Sequence, residues 1–222
     1  MVFLKSRSVT VHEDHQPEEE YIAIAAAASA TTGGDCRSLT VWRKSLLFSC
    51  TGFTVIDSYG DLVYRVDNYI GQRPGEVTLM DASGKSVLTV RRRKNLRLVE
   101  NWHVYEGEVG DTSRTKRPSS SKQPICSVKK HINILHANHN VLAYVFLGNS
   151  DKRYAYRIEG SFANRSCKVL DKSRRVVAEI KRKEAMNEGV SFGVEVFLLI
   201  VCPGFDSGFA MALVLLLDQM FS

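Results

Sequence analysis

The chain has 222 residues, 44% of them hydrophobic, and a formal net charge of +6, enough for one large domain or two small ones. Its five cysteines, Cys36, Cys50, Cys126, Cys167 and Cys202, never fall in a C-x-x-C pair. This argues against a disulfide framework and a zinc ribbon, and fits a reducing compartment. Residues 1–35 hold two basic and six acidic side chains, net −4, which leaves 28 basic and 18 acidic, net +10, on 36–222. A body this basic suggests affinity for something anionic: a membrane surface, nucleic acid or an acidic partner.

Residues 1–37 carry no apolar periodicity and run into Thr31-Thr32-Gly33-Gly34. They are expected to form a disordered, dispensable arm. The opening "MVFLKSRSVTVHEDHQ" lacks the apolar core of a secretory signal, and "YIAIAAAASA" follows "EEE", the wrong flank for one. The expected location is intracellular: cytoplasmic, peripheral at a membrane, or nuclear. There the glycosylation acceptor Asn164-Arg165-Ser166 would go unused.

From Leu39 onward the pattern is of short strands between turn signals. Leu62, Tyr64 and Val66 alternate with Val63, Arg65 and Asp67, and Tyr154, Tyr156 and Ile158 with Ala155, Arg157 and Glu159. Turns are marked at 58–61, 81–85 and 148–151. About ten to twelve strands at this spacing suggest a sandwich or barrel. The basic, serine-rich stretch "DTSRTKRPSSSKQP" (111–124) reads as a flexible loop dividing the strands into halves, with Ser119, Ser120 and Ser121 as candidate phosphorylation sites.

The tail "VEVFLLIVCPGFDSGFAMALVLLLDQMFS" (194–222) is the most apolar part of the chain. Pro203-Gly204 cuts it into pieces far short of the about 20 residues a membrane span needs. The first piece reads as a buried strand. The second, opened by the capping residues Asp206 and Ser207, reads as a helix over about 207–219 that is apolar on every side. Such a helix belongs inside a core, the alternative being a tail anchor. A barrel of about twelve strands leaves a lumen too wide for its own side chains to fill. Phe209, Met211, Leu213, Leu215 and Leu216 are therefore the expected plug.

Sites of chemistry are sparse. Gly84-Lys85-Ser86 resembles the end of a phosphate loop, but the motif needs glycine at 79, where this chain has Leu79. His131, His136 and His139 lack a nearby carboxylate or cysteine to complete a metal site. No catalytic residue, cofactor or metal is expected. The densest basic cluster is Arg91, Arg92, Arg93, Lys94 and Arg97, with others at Lys129-Lys130, 172–175 and 181–183. These are either solvated strand ends or an anion-binding face. Specific nucleic-acid readout is not expected, since the one helix is buried.

The segments "VIDSYGDLVYRVDNY" (55–69), "LMDASGKSVLTVRRRKNLRLVENWHVYEGE" (79–108) and "VEVFLLIVCPGFDSGFAMALVLLLDQMF" (194–221) closely resemble the plant LURP-one-related family. The resemblance covers about 39–221 and departs at Glu195, where the family more usually has Asp. It implies a Tubby-C-terminal-like fold, a twelve-stranded barrel around a central C-terminal helix. It also implies kinship with phospholipid scramblases and membrane-tethered Tubby-like regulators, and an association with plant defence. Tubby-like phosphoinositide-binding residues have no position-by-position match here. The expected function is a non-enzymatic module that tethers to acidic phospholipid or a protein partner, the alternative being scramblase-like lipid handling.

Overall fold

In a computed structural model, residues 34–48, 50–68, 75–93, 101–109, 122–132, 140–148, 153–183 and 192–221 are described. The first half of the sheet comprises β1 (Arg37–Trp42), β2 (Thr51–Ile56), β3 (Leu62–Asn68), β4 (Glu76–Asp81), β5 (Ser86–Arg93) and β6 (Asn101–Glu106). The second comprises β7 (Cys126–Lys130), β8 (Val141–Leu147), β9 (Tyr156–Ser161), β10 (Ser166–Leu170), β11 (Val176–Arg182) and β12 (Val196–Val201). Each strand pairs antiparallel with the next, and β1 pairs with β12 to close a twelve-stranded barrel. The two halves join through the β6–β7 ladder with no break in the wall. Most of the expected arm (1–33) and most of the expected loop (111–121), with Ser119, Ser120 and Ser121, lie outside the described residues.

Period-two alternation does the sorting. Leu39 and Val41, Leu88 and Val90, Val128, Val145, and Phe197 and Leu199 face inward and are buried. Outward positions carry Glu76, Arg91, Lys168 and Glu179, joined in cross-strand ion pairs such as Arg91–Glu76 at 2.7 Å, and Arg65, which pairs with Asp67 along its own strand. The outer wall is therefore not the apolar band of a membrane-spanning barrel. Hairpins are capped by aspartates: Asp81 accepts from Lys85 N at 2.9 Å and Ser83 Oγ at 2.6 Å. Gly84-Lys85-Ser86 accordingly belongs to a hairpin and to the start of β5.

One position where sheet geometry excludes a side chain is Gly160 on β9. Its φ is +118°, and a Cβ there would collide with the Ser166 carbonyl oxygen of β10. We predict that Gly160→Ala destabilises the barrel by about 1–3 kcal/mol, read from the midpoint of urea unfolding.

The helix α1 (Ser207–Phe221) extends two residues past the expected end at Gln219. Asp206 caps it by accepting from Phe209 N at 2.6 Å, and the Ser207 and Tyr64 hydroxyls meet at 2.8 Å. At about 1.5 Å per residue it is roughly 22 Å long, comparable to a six- or seven-residue strand, so it traverses the lumen. A helix satisfies its own backbone hydrogen bonds, which suits it to an apolar interior. Met211, Leu213, Leu215 and Leu216 are fully buried. Phe209 is half-buried and packs edge-on with Phe205, ring centroids 5.7 Å apart. The helix packs most closely against β4, β5 and β12. The barrel thus has two distinct ends. The N-rim holds the start of the helix with the β2–β3, β4–β5 and β10–β11 turns. The C-rim holds its last turn with the β1–β2 loop and the C-terminal ends of β5, β7 and β11.

Candidate functional site at the C-rim

Among the described residues, the most apolar exposed stretch is 43–48 of the β1–β2 loop. Its backbone is tied down at several points. Ser45 Oγ donates to the buried Asp67 carboxylate at 2.5 Å and accepts from Leu47 N at 3.0 Å. Thr54 Oγ1 donates to Lys44 O at 2.7 Å. Fixed in this way, the loop presents Leu46, 53% exposed, and Phe48, fully exposed, to solvent. Six of the nine large apolar side chains exposed among the described residues are at this end: Trp42, Leu46, Leu47, Phe48, Ile132 and Phe192. Single exposed apolar residues are ordinary, but several together on an anchored loop make a candidate interaction surface.

The same rim collects cations. Lys44 lies over the Trp42 ring at 5.2 Å, and Lys183 over Phe192 at 5.7 Å while donating to Thr40 Oγ1 at 3.1 Å. Arg93 and Arg182 project into solvent at the ends of β5 and β11, with no ion pair among the described residues. β1, β12 and β11 are neighbours in the barrel, so Trp42, Lys44, Lys183 and Phe192 lie in one sector.

Strand alternation divides the basic run that stood out in the sequence. Arg91 is outward and committed, its Nε 2.8 Å from Glu76 Oε2. Arg92 shares the parity of the inward Val90 and lies over the Trp102 ring at the mouth, 5.7 Å from its centroid. Arg93 is outward and exposed. Lys94 and Arg97 lie outside the described residues, as do His136 and His139. His131 packs edge-on against Tyr144, ring centroids 5.6 Å apart. Among the described residues no group of three or more His, Cys, Asp or Glu could hold a metal ion.

The end of the helix is locked beneath this rim by residues that sequence periodicity does not single out. Lys130 Nζ donates to Met220 O at 2.8 Å and lies 4.4 Å from the Phe221 ring centroid, a cation on the negative end of the helix dipole. Asp218, buried in the plug, pairs with Arg43 Nε at 2.9 Å. Arg165 is 5% exposed between the Phe162 and Phe197 rings and donates to Val194 O at 2.7 Å. Burial pulls the Arg165 guanidinium below its ordinary pKa, and the Asp218 charge opposes that shift. An Asp in a hydrophobic helix, and an Arg in a turn at φ +50°, show only in the fold that they are core residues.

Residues 37–218 match the family model described as LURP-one-related. The chain is 51% identical to Protein LURP-one-related 17 of Arabidopsis thaliana over 99% of both chains. It is 45% identical to Protein LURP-one-related 8 of the same plant, over 82% of this chain and 86% of that one. The X-ray structure of another Arabidopsis thaliana protein superposes with a TM-score of 0.57 at 25% identity, covering 83% of this chain and 91% of that one. A closed twelve-stranded barrel, a C-terminal helix through it and a family match over nearly the whole described body agree, and the chain belongs to the LURP-one-related family.

Proposed function

We propose that the protein is a non-enzymatic tether that docks its C-rim on anionic phospholipid membrane. The observation that carries this reading is the convergence of exposed apolar side chains and cations from distant segments on one end of the barrel. Peripheral membrane proteins need both elements. Apolar tips enter the interface, and each nearby cation is worth about 1 kcal/mol against an anionic leaflet. Trp42 beside Lys44 is the pairing expected at the headgroup level. The lumen is filled by α1, which favours tethering over lipid passage through the barrel. No helix among the described residues is long and apolar enough to cross a membrane. A tether of this kind accords with the Tubby-like regulators and the plant-defence role that the sequence resemblance brings in.

Vesicle sedimentation tests the proposal. The protein should pellet with phosphatidylserine-containing vesicles at low salt, stay in solution with phosphatidylcholine alone, and be released as salt rises. Replacing Leu46 and Phe48 by Ser should weaken binding by roughly 10- to 100-fold, because partial insertion of two such side chains is worth about 1 kcal/mol each. Their exposure means the melting temperature should hardly move. Absence of wild-type binding at low salt would overturn the membrane reading and point to a protein partner.

A further inference from the structure

Cys36 and Cys202 are 166 positions apart in sequence, yet their Sγ atoms are 3.3 Å apart. The closure of the barrel brings them together. β1 and β12 pair with Arg37 opposite Val201, so the next residues out on each strand are these two cysteines. Both continue the outward parity of their strands, Cys36 exposed and Cys202 half-buried, at the N-rim just before the Pro203-Gly204 turn into the helix. The other three thiols are placed differently: Cys126 and Cys167 are buried in the wall, and Cys50 is at the opposite end, where β2 begins.

We infer that Cys36 and Cys202 are a reversible redox clasp, an intramolecular disulfide that seals the seam between the first and last strands. A disulfide needs its sulfurs at about 2.05 Å, so closure asks for a small movement of two side chains at a strand end. A hydroperoxide is the oxidant class that fits an exposed thiol. The Cys36 thiolate attacks one peroxide oxygen, the O–O bond breaks, and hydroxide leaves to give the sulfenic acid. The Cys202 sulfur then attacks Cys36 Sγ, the S–S bond forms and the sulfenic oxygen leaves as water. Overall, two thiols and one hydrogen peroxide give one disulfide and two waters. Burial pushes the Cys202 thiol up to about 11, so Cys36 meets the oxidant and Cys202 resolves it, faster as pH rises.

Such a bond would enclose nearly the whole barrel, and closing so long a loop restricts the unfolded chain strongly. The test uses the full chain, fully reduced, then treated with hydrogen peroxide, alkylated and mapped without reduction. The expected result is a Cys36–Cys202 cross-linked peptide in monomeric protein, with Cys126 and Cys167 still alkylated after unfolding. The melting temperature should rise by about 10 °C and return on adding dithiothreitol. Cys36→Ser and Cys202→Ser should each abolish the cross-link and the rise, and Cys36→Ser, at an exposed position, should melt like the reduced wild type. Cys36 passing to sulfinic acid without a cross-link, pairing with Cys50 or a second chain, or a cross-link that leaves the melting temperature unmoved would each overturn the clasp.

Discussion

Leu215→Asp should yield no folded barrel. Leu215 lies in the central helix, 1% exposed, with wall on every side. A carboxylate there has no partner, and burying it unpaired costs more than the folded state of a single domain can spare. The plug's own carboxylate shows what tolerance requires: Asp218 is buried, but Arg43 lies 2.9 Å from it. The milder Leu213→Ala should fold and lose about 2–5 kcal/mol, from lost burial and the cavity left in a packed lumen. Deleting 205–222 removes the plug altogether and should leave a hollow, apolar-lined wall that aggregates. Yield, far-UV circular dichroism and cooperative melting of the three variants decide the matter. A soluble, cooperatively melting truncate would mean that the helix does not support the barrel.

The second large effect concerns binding. Arg93, Arg182 and Lys183 stand at the C-rim, so replacing all three by Ala should weaken binding to anionic vesicles by about 100-fold, at about 1 kcal/mol per cation. The matched control removes three cations from N-rim elements, Lys85, Lys122 and Lys172, and should bind nearly as wild type. Equal losses in the two variants would show attraction by net charge alone and would end the proposal of a docking face. Arg91→Ala should have little effect on binding, because its guanidinium is already held by Glu76. Removing the whole run of Arg91, Arg92 and Arg93 therefore mixes a wall contact with a docking contact and is the poorer experiment.

The strands were legible because alternation is local: Leu62 to Asp67 reads as a strand without knowing its neighbours. The basic run could be seen but not apportioned. Whether Arg91, Arg92 or Arg93 faces solvent depends on register, and register is fixed by cross-strand partners such as Glu76 and Trp102. Nothing local marks Leu46, Leu47 and Phe48 as an exposed loop, since an apolar run suits a strand or a core equally well. Only the anchoring of Ser45 to Asp67 turns them outward.

By itself, the sequence determined the alternation of the strands, the break at Pro203-Gly204 and the all-round apolarity of the last helix. From these follow a barrel and something to fill it, because each is a property of a few adjacent residues. Tertiary structure decided everything that depends on closure. Pairing β1 with β12 brings Cys36 to Cys202, the direction of the helix brings Asp218 to Arg43, and strand order brings Trp42, Lys44, Lys183 and Phe192 into one sector. These contacts join residues far apart in the chain, and no local pattern encodes which of the many possible partners an antiparallel ladder will set side by side.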